Sequence, residues 1–135
     1  MNEEHNLLVQ EYSKNPLKNF ALKEYTIKQH EGNFICWDDI IVYVVIKNDT
    51  IEDYSFDGSC SNITTAAASF LSEFIIGTKI QDILHRTYQT MVDHWFEVSA
   101  RRKRAGVIAI LATRNAIHAY LKDWKNDVFD DVIED

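Results

Sequence analysis

Residues 56–70 read FDGSCSNITTAAASF, and the fold depends on how this stretch divides. Its first part is typical of the end of a strand, and Gly58 marks a turn. After that turn the apolar residues follow helical spacing, at Ile63, Ala66, Ala67, Phe70, Leu71, Phe74 and Ile75. The pattern predicts a helix that continues to Ile76 and stops at Gly77. Cys60 then lies at or just before the helix N-terminus.

A cysteine in that place has two interpretations. Free N–H groups and the helix dipole favour an anion at a helix N-terminus, so the pKa of the Cys60 thiol is expected to fall. Alternatively, Cys60 is a small buried apolar residue, as free cysteines often are. The sequence around it has to decide between the two.

Composition limits the classes of function. The 135 residues suggest one domain, and 46% hydrophobic residues are enough to build its core. A net charge of −7 argues against nucleic-acid partners and anionic membrane surfaces. Two cysteines are too few for a disulfide scaffold, the first residues lack a signal-peptide pattern, and the longest apolar run, residues 107–112, is too short to span a membrane. We therefore expect a protein of the reducing cytoplasm.

The first half of the chain predicts a short helix and three strands. Residues 3–12 form a weakly amphipathic helix that Asn15-Pro16 interrupts. Strands are predicted at residues 22–30 (LKEYTIKQH), 40–46 (IIVYVVI) and 51–56 (IEDYSF). Glu31-Gly32-Asn33 reads as a turn, and residues 47–50 read as a hairpin connection. Such short connections favour an antiparallel meander.

Beyond the helix that ends at Gly77, two longer helices and a tail are predicted. Thr78 can cap a helix that runs to about Trp95, and Ser99 can cap another from residue 100 to about residue 124. The apolar stripe of the latter is Val107, Ile108, Ile110, Leu111, Ile117, Tyr120, Leu121 and Trp124. Residues 125–135 read as an acidic, partly disordered tail in which Val128, Phe129, Val132 and Ile133 can still dock one more helical turn. The predicted fold class is α+β, a three-stranded antiparallel sheet with helices packed on one face.

Two cysteines and an aspartate meet at one edge of this predicted sheet. Cys36 and Asp38 precede the second strand, and Cys60 follows the third. In a hairpin the start of one strand lies beside the end of the other, so the three residues are expected to be neighbours. Two thiolates and a carboxylate suit zinc or an iron–sulfur site, although both cysteines could equally be packing residues.

An ordered set of motifs resembles the NifU/IscU/SufU-type iron–sulfur cluster assembly scaffolds. The matching stretches are YSKNPLKN (residues 12–19), Cys36-Trp37-Asp38, FDGSC (residues 56–60) with the small residues 66–69, SEFIIGT (residues 72–78) and ARRKRA (residues 100–105). The resemblance covers nearly the whole chain. It implies a NifU/IscU-like domain whose members hold a nascent cluster or zinc with three cysteines and an aspartate.

The resemblance also shows what is missing. Carried over, Cys36 is the first cysteine, Asp38 the aspartate and Cys60 the second cysteine. The third cysteine is replaced by Arg104, or by Ile108 in an alternative alignment, and neither is a ligand. Trp37 replaces a small glycine, where it either shields the site or simply packs.

Three ligands are one fewer than the four that normally hold an iron–sulfur cluster. A histidine (His85 or His94), a water, or a residue of a partner or second chain could complete the set. Alternatively, Arg104 could keep the two thiolates ionised without a metal. The run Arg101, Arg102, Lys103, Arg104 is either a solvated charge cluster or a docking patch for an acidic partner surface.

These features predict an iron–sulfur cluster assembly scaffold rather than an enzyme. Iron, a transient cluster or zinc would bind Cys36, Asp38 and Cys60, with sulfur from a cysteine desulfurase and release to recipient or carrier proteins. The alternatives are a SufU-like sulfur-transfer protein, with Cys60 or Cys36 accepting persulfide, and a degenerate regulatory module that has lost metal chemistry. The chain is expected to be a monomer or a weak homo-oligomer, without nucleic-acid or membrane partners.

Overall fold

The structure is a computed structural model and describes residues 3–33 and 38–133. Its elements run in the order helix, three strands, helices, as predicted. The helices are α1 (Glu3–Lys14), α2 (Asn62–Ile75), α3 (Ile80–Ile83), α4 (Tyr88–Asp93), α5 (Lys103–Leu121) and α6 (Phe129–Ile133). The strands are β1 (Ile27–Asn33), β2 (Asp38–Lys47) and β3 (Thr50–Ser59). A short 3₁₀ helix, Ala100–Arg102, precedes α5.

The three strands form one antiparallel sheet in the order β1-β2-β3. The β2–β3 connection is the predicted hairpin, and its two turn residues, Asn48 and Asp49, have φ of 54° and 57°. Left-handed conformations at both positions match the twist of the flanking strands, and Asn and Asp tolerate them well. The predicted turn at Glu31-Gly32-Asn33 is wrong. These residues pair with Ile40, Asp39 and Asp38, so β1 begins and ends later than predicted.

One face of the sheet carries the helices, which confirms the predicted α+β class. Ile40, Val42 and Val44 alternate along β2 and are fully buried, as a strand with one covered face requires. Helix α5 packs across β1 and β2, and α2 packs against both α5 and β3. The small side chains of Ala66, Ala67 and Ala68 are all buried in this layer.

The helix predicted from Thr78 to Trp95 is instead two short helices, α3 and α4. Thr87 starts α4 with a capping box: its hydroxyl accepts from the first turn while Thr90 accepts from the Thr87 backbone N–H. Thr78 is not a cap, since its hydroxyl donates to the Ile75 carbonyl at 2.6 Å. The chain turns back at Trp95, which is 69% exposed rather than part of an apolar stripe.

The final long helix is shorter than predicted. Residues 100–102 are 3₁₀, Ser99 makes no side-chain cap hydrogen bond, and α5 ends at Leu121 because Lys122 adopts φ 55°. Tyr120, Leu121 and Trp124, predicted in its apolar stripe, are exposed. In the acidic tail, where partial disorder is predicted, residues 129–133 form α6, and Val132 is fully buried. No helix in the described parts of the chain is long and apolar enough to cross a bilayer.

Candidate functional site

Gly58 sets the geometry at the edge of the sheet where β2 begins and β3 ends. It has φ +118°, and a Cβ there would lie 2.0 Å from the Asp39 carbonyl oxygen. Only glycine allows this close approach of the two backbones. Cys60 follows two residues later, and its thiol lies 3.7 Å from the same Asp39 carbonyl. The hairpin therefore brings Asp38 and Cys60 together, as predicted.

Asp38 is buried, with 3% of its surface exposed, and both of its carboxylate oxygens are engaged by the start of α2. Oδ1 accepts from the Ser61 backbone N–H at 2.6 Å. Oδ2 accepts from the Thr64 hydroxyl at 2.6 Å and from the Ser61 hydroxyl at 3.4 Å. Ser61 is the N-cap of α2, so this carboxylate sits where free N–H groups and the helix dipole favour an anion. Asp38 thus ties β2 to α2.

Thr64 extends this connection to α5. Its hydroxyl also lies 3.3 Å from the Ala105 carbonyl in the first turn of that helix. A threonine hydroxyl has one proton, and the shorter contact, to Asp38, is the one that receives it. Thr64 thus places the Asp38 carboxylate next to the first turn of α5, the helix that carries Arg104 and Ile108, the two residues that the resemblance offers for the position of the third cysteine.

Cys60 is half-buried, and its electrostatic setting is opposite to the prediction. Burial, and to a smaller extent the carboxylates of Asp38, Asp39 and Asp57, together raise the pKa of the Cys60 thiol to about 12. The expected lowering by the helix N-terminus is wrong because Ser61, not Cys60, is the N-cap, and Asp38 already occupies the anion position. Cys60 is therefore a protonated thiol at neutral pH in this structure.

Adjacent Asp38 and Asp39 point to opposite faces of β2, as successive residues of a strand do. The Asp39 side chain is 54% exposed, and its Oδ1 contacts the Nε2 of His30 on β1. Cys36 and Trp37 lie outside the described residues.

Arg104, which in one of the predicted alternatives keeps the thiolates ionised, does not do so for Cys60. The Arg104 guanidinium lies over the Phe129 ring of α6, 5.0 Å from its centre, and the Lys103 ammonium lies 5.1 Å from the centre of the Tyr88 ring. Arg104 is not among the groups that shift the pKa of Cys60. Arg101 and Arg102 are exposed and line a cavity of about 330 Å³ beside the first turn of α2.

The two histidines weighed as further ligands have other surroundings. His85 is exposed in the segment between α3 and α4. The His94 ring stacks on Phe74 with 4.3 Å between centres, and its Nδ1 lies 2.8 Å from the Thr90 carbonyl. Within residues 3–33 and 38–133, no three His, Cys, Asp or Glu side chains form a group that could hold a metal ion.

A buried polar network at the other end of α5 was not predicted. The two ring nitrogens of His118 contact Asp123 at 2.8 Å and Asp127 at 2.9 Å. Arg114 donates to Asp127 at 2.9 Å, and Asn115 accepts from the Asp127 backbone N–H at 2.7 Å. The signal in the sequence is the group of polar residues Thr113, Arg114, Asn115 and His118 near the end of a helix that is apolar from residue 105 to 112. This network holds the acidic tail against α5.

Comparison with known proteins agrees with the fold. A family model described as the NifU-like N terminal domain matches residues 4–127. Over 62 residues, which make up 46% of its length, this chain is 31% identical to the iron–sulfur cluster assembly scaffold protein IscU of Thermotoga maritima. That match spans 44% of the relative's length, less than half of it.

Two solved structures share the fold at low sequence identity. One is an iron–sulfur cluster assembly scaffold protein of the SUF system from Fervidobacterium islandicum, with a TM-score of 0.72, 18% identity and coverage of 87% of this chain and 96% of that one. The other is a NifU-like N-terminal domain from Brucella abortus, with a TM-score of 0.70, 13% identity and coverage of 86% and 93%.

Proposed function

The chain belongs to the NifU-like N-terminal domain family, that of the iron–sulfur cluster assembly scaffolds, and from this premise we propose that it carries iron or a nascent cluster as its cargo. Cys36, Asp38 and Cys60 are the proposed ligands, with zinc as an alternative occupant. Sulfur would come from a cysteine desulfurase, and the cargo would pass to recipient or carrier proteins. The basic run from Arg101 to Arg104 is the proposed docking patch for an acidic partner surface.

The observation that carries this proposal is the contact between the two strand ends. The Cys60 thiol lies 3.7 Å from the Asp39 carbonyl, and the adjacent Asp38 binds the N-cap of α2. Cys36 is two residues before Asp38 in the chain, so a short span of backbone separates the first and second proposed ligands. Soft thiolates at such a position suit iron, clusters and zinc.

The electrostatic surroundings of Cys60 are expected to make cargo binding depend on pH. Burial and three carboxylates hold the thiol protonated, so an incoming cation has to displace a proton. A metal ion reverses this balance, because its positive charge favours the thiolate and is attracted by the same carboxylates. Loading is therefore expected to release protons and to be favoured by higher pH.

Asp38 has to change partners if it is to bind cargo. Its two oxygens are satisfied by Ser61 and Thr64, and a metal ion would compete with the start of α2 for them. We propose that Asp38 is a weak ligand, held back by its role in joining β2 to α2, while the cysteines supply most of the affinity.

A second candidate function, sulfur transfer, is favoured by the number of cysteines, since the chain has two and the proposed ligand set is one short of four. In such a step an acceptor thiolate attacks the outer sulfur of the desulfurase persulfide. The S–S bond of the enzyme breaks, a new S–S bond forms on the acceptor, and the enzyme cysteine leaves as a thiolate. The raised pKa of Cys60 makes Cys36 the better proposed acceptor.

Anaerobic reconstitution tests the scaffold proposal. Wild-type protein and a Cys36→Ser/Cys60→Ser double variant are incubated with ferrous iron, sulfide and reductant, desalted, and assayed for iron and sulfide per chain. The proposal predicts bound iron in the wild type and a loss of most of it in the double variant, with unchanged far-UV circular dichroism. Equal iron in both proteins would contradict it. If neither binds iron but a persulfide can be trapped on Cys36 after incubation with a desulfurase, the transfer function is supported instead.

A further inference from the structure

The C-terminal end of α5 carries a cavity that the proposed scaffold function does not use. It has a volume of about 260 Å³ and lies between β1 and the turn that follows α5. Gln29, Asn115 and His118 contribute to its lining, together with the turn residues Lys122, Trp124 and Lys125. It is separate from the Asp38–Cys60 edge, because Ala105 and His118 are thirteen residues apart on one helix, a rise of about 20 Å.

The turn at the mouth of this cavity is built in an unusual way. Lys122 and Trp124 have φ of 55° and 64°, and a bulky residue seldom adopts a left-handed conformation. Asp123 holds the turn in place, since its carboxylate contacts the His118 ring at 2.8 Å and accepts from the Lys125 backbone N–H at 3.0 Å. These bonds lower the pKa of Asp123, the Lys125 N–H bond contributing most and the His118 contact next. Strained backbone held by fixed contacts is typical of binding sites.

In the same turn, the Trp124 ring and the ammonium groups of Lys122 and Lys125 remain available to a ligand. Trp124 is 97% exposed, which is costly for an indole unless something covers its faces. Within residues 3–33 and 38–133, no group makes a hydrogen bond or salt bridge to the Lys122 ammonium or the Trp124 indole N–H. The nearby carboxylates of Asp123 and Asp127 are turned to His118 and Arg114. Lys122 and Lys125 thus offer two ammonium groups beside a flat aromatic face, in a chain of net charge −7.

We propose that this cavity binds a small organic anion with a planar ring, the chemistry of nucleoside monophosphates and aromatic carboxylates. The ring stacks on Trp124, and the anionic group binds Lys122 and Lys125. His118 and Asn115 also line the cavity, with hydrogen bonds already made within the protein. A cavity of this size accommodates one ring system, not a folded partner.

Titration with two probes tests the proposal and distinguishes the two sources of such an anion. Adenosine 5′-monophosphate and 4-hydroxybenzoate are added separately to the full chain, and binding is followed by NMR chemical-shift changes and calorimetry. Adenosine and inorganic phosphate, each of which lacks one half of the chemistry, are the ligand controls. At least one probe is expected to bind, with both controls at least tenfold weaker.

Each test variant has a matched control variant elsewhere in the chain. Trp124→Ala is expected to weaken binding about tenfold or more, within the usual effect of removing a stacking aromatic. Trp95→Ala is the control, because Trp95 is also exposed and also has a left-handed φ, of 69°. The double variant Lys122→Glu/Lys125→Glu is expected to abolish binding, while Lys79→Glu, at another exposed lysine, leaves it unchanged.

The proposal is overturned if neither probe binds, if Trp95→Ala weakens binding as much as Trp124→Ala, or if adenosine binds as well as its monophosphate. Binding of an acidic peptide in the absence of binding by either probe would likewise overturn it in favour of a protein partner. Loss of iron binding in the reconstitution assay leaves this result untouched, since the two sites share no residue.

Discussion

Replacement of Asp38 by asparagine tests whether this residue is a structural anchor of the site. The carboxylate accepts two hydrogen bonds of 2.6 Å, from the Ser61 N–H and the Thr64 hydroxyl, at the start of α2. Asparagine keeps the shape and one acceptor oxygen for Ser61. Its amide would face Thr64, whose hydroxyl can then donate to the Ala105 carbonyl, 3.3 Å away. The variant should therefore fold with every partner satisfied and lose only the charge.

The expected loss in the free energy of unfolding follows from the change from charged to neutral hydrogen bonds. A hydrogen bond to a charged acceptor is worth about 1.5–3 kcal/mol and a neutral one about 0.5–1.5 kcal/mol. The charge–dipole attraction at a helix N-terminus adds about 0.3–1 kcal/mol. The lower desolvation cost of a neutral side chain offsets part of this. We expect Asp38→Asn to lower the free energy of unfolding by about 1–3 kcal/mol. Asp38→Ala should cost more, because it leaves the partly buried Ser61 N–H without this partner.

Urea denaturation of the metal-free protein, followed by circular dichroism at 222 nm, measures these changes. Asp39→Asn is the matched control, since the neighbouring carboxylate is 54% exposed and contacts the exposed His30. Its effect should stay within about 0.5 kcal/mol. If Asp38→Asn is neutral or stabilising in the metal-free protein, the desolvation cost of the buried carboxylate is at least as large as the stabilisation by its hydrogen bonds. The anchoring role assigned to Asp38 is then refuted.

Three further predictions concern other parts of the molecule. In a Cys36→Ser background, Cys60 should react with iodoacetamide at pH 8 at least about tenfold more slowly than a free cysteine, because burial raises its pKa to about 12; equal rates would contradict this. Tyr12→Phe should lower the free energy of unfolding by about 0.5–1 kcal/mol at neutral pH, since it removes the 2.6 Å bond to Glu73. Burial and Glu73 raise the pKa of Tyr12 from 10.0 to about 12, so this difference is present below pH 10 and disappears as the pH rises through 12. Val132→Ala should cost about 1–3 kcal/mol in urea denaturation, because the side chain is fully buried; an unchanged midpoint would show that α6 is not docked.

The sequence predicted the parts of the fold that depend on local pattern. The β-branched run in β2, the hairpin at Asn48-Asp49 and the helix after Gly58 follow from side-chain periodicity and turn chemistry, and each is confirmed. The proximity of Asp38 and Cys60 follows from the hairpin. The binding of the Asp38 carboxylate by the start of α2 and its effect on the pKa of Cys60 were not predicted. Whether Ser61 or Cys60 caps the helix depends on a shift of one residue, which spacing alone does not resolve.

The remaining errors have tertiary causes. Glu31, Gly32 and Asn33 have turn propensity, but pairing with β2 keeps them in β1. The break between α3 and α4 depends on the capping box at Thr87, a residue that the apolar spacing places inside one continuous helix. The tail docks because Asp127 binds three residues of α5. These contacts join residues that are thirteen or fewer positions apart but are separated by a left-handed turn.

The central claim is that Cys36, Asp38 and Cys60 hold iron or a nascent cluster as cargo. Elemental analysis of anaerobically purified protein, combined with its ultraviolet–visible spectrum, tests it most directly. The account predicts iron with acid-labile sulfide and sulfur-to-iron charge-transfer bands, or zinc in their place, and loss of either metal in the Cys36→Ser/Cys60→Ser variant. Protein that is free of both metals as purified, and that takes up neither on anaerobic loading, would contradict it.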